Sequence, residues 1–228
     1  MRDKAVAVSS WLAALLLAGN LALILLVFPD EQEQGPIFRI IFFHVPMAWT
    51  AFAAFFAALV ASILYLASKN LRYDAFAAAV TEVGLAFGAA NLLTGMIWGR
   101  IIWGAFWVWD PRLTSMLVGW LLYAGYVMLR RAIEEPTERA RMSAVVSIFA
   151  FADVPIIFFS IQWWRTHHPQ PVVWGSSGGH MSPEYWSMLF FNWIPILLVG
   201  YLLLELRMRQ ERLSRELDAL RREAHAIS

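Results

Sequence analysis

Three tryptophans within seven residues are the densest chemical signal in this chain. The segment reads Trp103-Gly104-Ala105-Phe106-Trp107-Val108-Trp109-Asp110-Pro111-Arg112-Leu113-Thr114-Ser115. Tryptophan is common at membrane interfaces, but a belt accounts for one or two such residues, not for this density. On a helix Trp103 and Trp107, four apart, share a face. In an extended segment Trp107 and Trp109, two apart, do so. Either arrangement offers a broad, flat aromatic surface, which suits flat apolar ligands held by dispersion and offset stacking. Gly104 lets a ligand or another backbone approach closely. Asp110 can accept an indole or backbone N–H, and Arg112 can pair with an acidic ligand group.

Histidine supplies the second signal. His44 lies in Phe43-His44-Val45-Pro46, and His168 in Trp163-Trp164-Arg165-Thr166-His167-His168-Pro169. Taken alone, each reads more readily as a hydrogen-bonded surface histidine than as a ligand. Together they flank the tryptophan segment, and neutral imidazole is a good ligand for iron. A flat macrocycle over the tryptophans needs ligands on its opposite faces, and two helix-end imidazoles suit that. No His-x-x-x-His spacing is present, which disfavours structural zinc. Cysteine is absent, which excludes disulfides, thiolate metal sites, iron–sulfur clusters and covalent heme attachment through the chain's own thiols. His180, beside Gly178 and Gly179, reads as a loop histidine.

The elements that must position these residues follow from composition. Of 228 residues, 60% are hydrophobic and 15% charged, against about 45–50% and about 25% in soluble domains. A soluble fold this apolar would leave much of that surface in water, so the expected class is an all-α, polytopic membrane bundle. A crossing helix needs roughly 20 apolar residues. Six candidates appear, at Trp11–Phe28, Val45–Ala67, Val83–Trp98, Leu113–Leu129, Ser143–Trp163 and Trp186–Leu204. The first is too long for a signal-peptide core and lacks a clear cleavage site, so it reads as a retained helix. Four of the eighteen Lys and Arg residues, Arg39, Arg100, Arg112 and Arg165, fall on the side opposite the N-terminus. The positive-inside rule then puts both termini in the cytoplasm.

The three outward loops, 30–44, 99–112 and 164–185, concentrate Trp, His, Gly and Pro, including Trp174. Function is expected on that face, because the inner loops read as short connectors. The chain divides into a membrane domain, 1–204, carrying the tryptophan loop at 99–115, and a basic amphipathic tail helix, 205–228. In the tail Leu206, Leu213 and Leu220 repeat every seven residues and Leu217 joins their face. That helix suits either anionic headgroups or a cytoplasmic partner. Within the spans, Asp153 precedes Pro155, which frees carbonyls and kinks helices. An ionised Asp at the bilayer centre costs on the order of 3 kcal/mol, so Asp153 should bond inside the bundle or line a partner site or polar path. Glu82 can snorkel, and Asn91 and Thr94 read as interhelical hydrogen-bonders. A net charge of +1 gives no global field to attract nucleic acid.

The segment Trp103-Gly-x-x-Trp-x-Trp-Asp110, continuing Pro-Arg-Leu-Thr-Ser115, resembles the tryptophan-rich (WWD) motif of the heme-handling proteins of cytochrome c maturation. Phe43-His-Val-Pro46 and Trp163-Trp-Arg-Thr-x-His168 narrow the resemblance to the heme exporter protein C (CcmC) family, and it covers nearly the whole chain except the tail. It implies heme, held without covalent attachment on the periplasmic face of the bacterial inner membrane. His44 and His168 would be the axial ligands, with Trp103, Gly104, Trp107, Trp109, Asp110 and Arg112 as the cradle. His168 matches by counting from Trp163-Trp164. The family usually has Leu where His167 stands and Gln where Pro169 stands. The four outer arginines are candidates for the propionates. The resemblance also implies partners: a membrane-anchored periplasmic heme chaperone that receives the heme, ABC transporter subunits and a small single-span subunit. On this reading the chain supplies geometry and no catalytic residue. Two other classes remain. A membrane electron-transfer cytochrome wants histidines at both membrane depths, which the sequence does not supply. A small-molecule transporter wants midplane binding groups, for which Asp153 and Pro155 are a thin case.

Overall fold

The structure is a computed structural model that describes residues 2–169 and 181–227. Its helices are α1 (Arg2–Ala22), α2 (Ile41–Ser68), α3 (Leu71–Ile102), α4 (Pro111–Ala132), α5 (Pro136–Phe151), α6 (Asp153–Trp163) and α7 (Pro183–Ile227). A π-helical turn, Leu23–Val27, extends α1, and a 3₁₀ turn, Pro36–Ile40, leads into α2. Six stretches are long and apolar enough to cross a membrane: Asp3–Val27, Pro36–Ser68, Leu71–Ile102, Pro111–Ala132, Pro136–Trp163 and Pro183–Arg221. The chain is a multi-pass all-α membrane protein, as its composition requires. Leu15, Leu26 and Phe149 are among the many large apolar side chains left exposed, which is favourable against lipid and costly against water.

Local chemistry sets the boundaries. Asp110 precedes Pro111 and accepts the N–H of Arg112 at 2.9 Å, capping α4. Glu135 precedes Pro136 and caps α5 in the same way, accepting the N–H of Thr137 at 2.9 Å. A polar cap followed by Pro at the first helical position is the favoured start, because that N–H has no partner in any case. The fifth span breaks between α5 and α6 at Ala152. Pro155 has no N–H to offer Phe151 and its ring crowds that carbonyl, so the interruption expected near Asp153 is a break in the helix.

Small residues let the helices close. The rings of Phe55 on α2 and Tyr123 on α4 stack 3.8 Å apart, and a Cβ on Gly84 would come within 2.6 Å of Phe55. Pro46 inside α2 frees the carbonyl of Phe42, and Asn192 of α7 donates to it at 2.6 Å. Asn20 of α1 donates to Asn192 at 3.1 Å. A polar chain thus ties three helices where lipid offers no partner.

The tail is not a separate helix. Helix α7 runs unbroken for 45 residues, about 68 Å at 1.5 Å per residue, against a hydrocarbon core of about 30 Å. Its continuation docks back on the bundle. Arg215 pairs with Asp74 of α3 at 2.7 Å, and Arg130 of α4 reaches the same carboxylate at 2.5 Å. Glu82, expected to snorkel, pairs with Arg207, and Arg209 meets Asp3 at 2.8 Å. The N-terminus and the tail therefore lie at one end of the bundle. Leu206, Leu213, Leu217 and Leu220 remain exposed.

Candidate functional site

At the end opposite the termini, three segments meet: the start of α2 with His44, the loop 103–110 between α3 and α4, and residues 164–169 after α6. A single carboxylate joins the last two. Asp110 is buried, with 3% of its surface exposed. Besides capping α4, it accepts the Thr166 hydroxyl at 2.7 and 2.8 Å and the backbone N–H of His167 at 2.7 Å. Thr166 in turn accepts the N–H of His168 at 3.0 Å. Burial alone would raise the Asp110 pKa. The bonds from Thr166, His167 and Arg112 and the nearby His168 outweigh it and hold the carboxyl below its ordinary range. Of the two kinds of donor expected at Asp110, it takes backbone N–H groups and, among the described residues, no indole; the Thr166 hydroxyl is an addition.

His168 is half-buried, and its Nδ1 lies 2.8 Å from the carbonyl of Pro169. A carbonyl only accepts, so Nδ1 carries the proton and Nε2 keeps its lone pair. Burial, then the positive charge of Arg112, push its pKa down to about 4, which keeps the ring neutral, the form that binds metal. His167 is exposed, and its ring lies 6.4 Å from that of Trp103. His44 is half-buried against α3, with Nδ1 2.9 Å from the Thr94 hydroxyl. His168 and Arg112 stand close enough to His44 for their charges to be felt there. The two imidazoles are therefore neighbours at one end of the bundle, although 124 residues separate them in the chain.

The tryptophan loop differs from a flat shelf. Helix α3 ends at Ile102, so Trp103 and Trp107 do not share a helical face. Trp103 meets Trp98 edge-to-face, with centroids 4.9 Å apart, and Trp98 donates to Gln34 at 2.8 Å. Trp107 and Trp109 also meet edge-to-face, at 5.6 Å and 82°. Trp107 keeps its indole N–H buried without a partner among the described residues, and Trp109 is 78% exposed. The loop is a set of crossed rings because edge-to-face contact satisfies the ring quadrupoles better than a coplanar row. Gly104 serves backbone conformation, with φ +76° and nothing within 4 Å of a Cβ built on it, so the close approach expected there is absent among the described residues. Close packing falls on Gly99 instead, where a Cβ would lie 3.1 Å from the Trp103 ring.

The outer arginines divide. Arg39 is held by the carbonyls of Leu25 and Phe28 and by Asp30 at 2.8 Å. Arg100 donates to the carbonyl of Gly104 and lies over Phe106. Arg112 donates to the carbonyl of Ile157 and lies over Phe158, with its charge reaching both histidines. Arg165 is exposed with no side-chain partner among the described residues. Trp174 and His180 lie outside the described residues. Asp153 keeps one carboxylate oxygen buried and without a hydrogen-bond partner among the described residues. It lines an open surface groove of about 320 Å³ with Pro111, Thr114, Ser115, Val118, Ile156 and Trp164.

Among the described residues no three His, Asp or Glu side chains converge as they would around a bare metal ion. Two imidazoles, each with Nδ1 against an oxygen, beside crossed indoles and a cation, fit a metal already held in a planar macrocycle with acidic substituents. Sequence reading gave no role to Thr166, although it stands in the Trp163-Trp-Arg-Thr-x-His168 motif, and missed Gln34, which stands in none; each acts on a partner more than fifty residues away.

A family model described as heme exporter protein C matches residues 1–223. The chain is 36% identical to heme exporter protein C of Bradyrhizobium diazoefficiens over 192 residues, 84% of this chain and 73% of the relative. It is 33% identical to heme exporter protein C of Escherichia coli K12 over 183 residues, 79% and 73% of the two chains. It is 35% identical to a putative cytochrome c biosynthesis ccmC-like mitochondrial protein of Arabidopsis thaliana over 190 residues, 83% and 68%.

Proposed function

Because the chain belongs to the heme exporter protein C family, with a role in heme export for cytochrome c maturation, we propose that it holds one heme between His44 and His168 and hands it to a membrane-anchored heme chaperone. Heme here is cargo, bound without a covalent link. The observation that carries the reading is the pair of neighbouring imidazoles, each with Nδ1 against an oxygen, that of Thr94 at 2.9 Å and that of Pro169 at 2.8 Å. Trp103, Trp107 and Trp109 supply aromatic edges and faces for the porphyrin. Gly104 sets the turn of their loop, and Asp110 couples that loop to the segment bearing His168. Arg165, exposed, and Arg112, whose charge reaches both histidines although its guanidinium also donates to Ile157, are the cations placed to meet propionates. Both termini face the cytoplasm, and the site faces the periplasm across the bacterial inner membrane. ABC transporter subunits and a small single-span subunit complete the membrane complex.

The chain contributes geometry. Coordination by two neutral imidazoles fixes the iron, the loop fixes the ring plane, and the edge left open at the membrane surface admits the chaperone. Any bond-forming chemistry belongs to heme and the chaperone. The test is heme transfer in cells that depend on this chain. His44→Ala or His168→Ala should abolish covalent heme on the chaperone while the protein accumulates normally in the membrane. Normal chaperone loading by both variants would contradict the reading.

A further inference from the structure

We infer that Thr94 and Asn91 of α3 are positioning residues for His44, Thr94 accepting from Nδ1–H so that Nε2 carries the lone pair offered to the ligand. The inference rests on the reading of His44 as an iron ligand and adds the groups that make it one.

The hydrogen-bond inventory accommodates the Nδ1–H tautomer that an Nε2 ligand requires. Thr94 has one hydroxyl proton, and its oxygen lies 2.8 Å from the carbonyl of Ala90 and 2.9 Å from that of Asn91. Either carbonyl can take that proton, which then points back along α3. The oxygen in that arrangement meets His44 Nδ1, at 2.9 Å, with a lone pair. Nδ1 then donates, and Nε2 carries the lone pair. Asn91 completes the brace. Its amide donates to the His44 carbonyl at 2.9 Å and, 3.3 Å from each ring nitrogen, stands over the imidazole rather than in line with either nitrogen.

Residues 91, 94 and 95 lie on one face of α3, at the i, i+3, i+4 spacing. Gly95 completes that face: a Cβ there would stand 3.1 Å from His44 Cε1. The imidazole thus packs on a glycine, with a hydroxyl and an amide on its polar edge. An imidazole whose second nitrogen donates to a fixed acceptor is oriented and made a stronger donor to metal, and loss of such a partner typically costs 10–100-fold in metal affinity. Among the described residues His168 has no such brace from another helix; its Nδ1 turns to the carbonyl of the next residue, Pro169. The two ligands are therefore unequal, and the one on α2 is fixed by a neighbouring helix.

The experiment uses the full chain in detergent, loaded with hemin, and compares the parent with His44→Ala, Thr94→Val, Thr94→Ser, Asn91→Ala and Gly95→Ala. The readouts are the absorption spectrum and the rate of heme loss to an excess of apomyoglobin. Thr94→Val keeps the side chain's volume and removes the acceptor. It should shift heme from six-coordinate low-spin toward five-coordinate high-spin and speed its loss by roughly tenfold. Thr94→Ser should restore the parent spectrum, which a purely packing role would not require. Asn91→Ala should change the spectrum in the same direction as Thr94→Val, and a parent-like result would remove Asn91 from the brace. Gly95→Ala should reproduce the shift by displacing the ring with every polar group intact, and it carries the test should Thr94→Val fail to fold. Parent-like spectra and rates in both Thr94→Val and Gly95→Ala, beside a His44→Ala variant that has lost low-spin heme, would overturn the inference alone. A parent-like His44→Ala would instead overturn the ligand assignment, and the inference with it.

Discussion

Asp110 and Thr166 stand 56 residues apart in the chain, yet the threonine hydroxyl reaches both oxygens of the aspartate, at 2.7 and 2.8 Å. That contact makes the tryptophan loop and the His167-His168 segment a single unit. A carboxylate nearly closed off from solvent is held ionised by donors from two loops and by the first turn of α4.

Replacing Asp110 should separate the two loops. Asp110→Ala removes a helix cap, worth about 1 kcal/mol, and two further charge-assisted bonds of about 1.5–3 kcal/mol each. Thermal unfolding in detergent should fall accordingly, and heme retention should fall with it. Asp110→Asn keeps the size but turns a donor toward donors, so it should retain little more heme than Asp110→Ala. Retention equal to the parent in both variants would contradict the coupling. Because the folded pKa is depressed, the stabilisation is present above the unfolded carboxyl value and is lost as pH falls through the lower folded one.

Gly104 tests the loop's backbone. Its φ of +76° is left-handed, and an L side chain there costs about 1–2 kcal/mol, although space for a Cβ is open. Gly104→Ala should therefore fold, with weaker heme retention. Gly104→Asn, which tolerates that conformation better, should lie between Gly104→Ala and the parent. Equal retention by all three would show that the turn is not set by this residue.

Between α4 and α6, a Cβ on Gly119 would come 2.5 Å from a carboxylate oxygen of Asp153. Gly119→Ala should lower the unfolding midpoint through overpacking, by about 1–3 kcal/mol. The double variant Gly119→Ala with Asp153→Ala should recover part of that loss. A double variant less stable than the single would contradict the proposed clash.

At the other end, Asp74→Ala leaves Arg130 buried without its closest partner. Glu211, at 3.6 Å, remains. The expected cost is about 3 kcal/mol, the low end for a broken buried pair, read as thermal stability or accumulation in the membrane. Arg215 loses the same partner, so the tail should become more accessible to protease. Protection equal to the parent would show that the tail docks by other contacts.

Hydropathy carried the fold because it is local. Each span declares itself within its own twenty or so residues, and the Asp–Pro and Glu–Pro starts of α4 and α5 are written side by side. Pro155 likewise marked the break after Phe151. Contacts between distant segments left no such trace. Asp110 shows a capping residue and a loop aspartate equally well, and nothing near it names Thr166. Asn91 and Thr94 were legible as polar residues needing interhelical partners, but their partner is 47 and 50 residues away. The tryptophan spacing fitted either a helix or an extended strip, and the crossed rings follow from packing that spacing does not encode. The tail looked separable because its composition changes at residue 205, while its backbone continues the helix and its arginines find carboxylates at the bundle's own end.

The most direct test of one porphyrin held between two imidazoles is electron paramagnetic resonance of the hemin-loaded protein, with heme quantified against protein. The account predicts one heme per chain and a low-spin ferric signal of two neutral imidazoles. That signal should give way to high-spin iron in His44→Ala and in His168→Ala, but persist in His167→Ala. A low-spin signal unchanged in both His44→Ala and His168→Ala would contradict it.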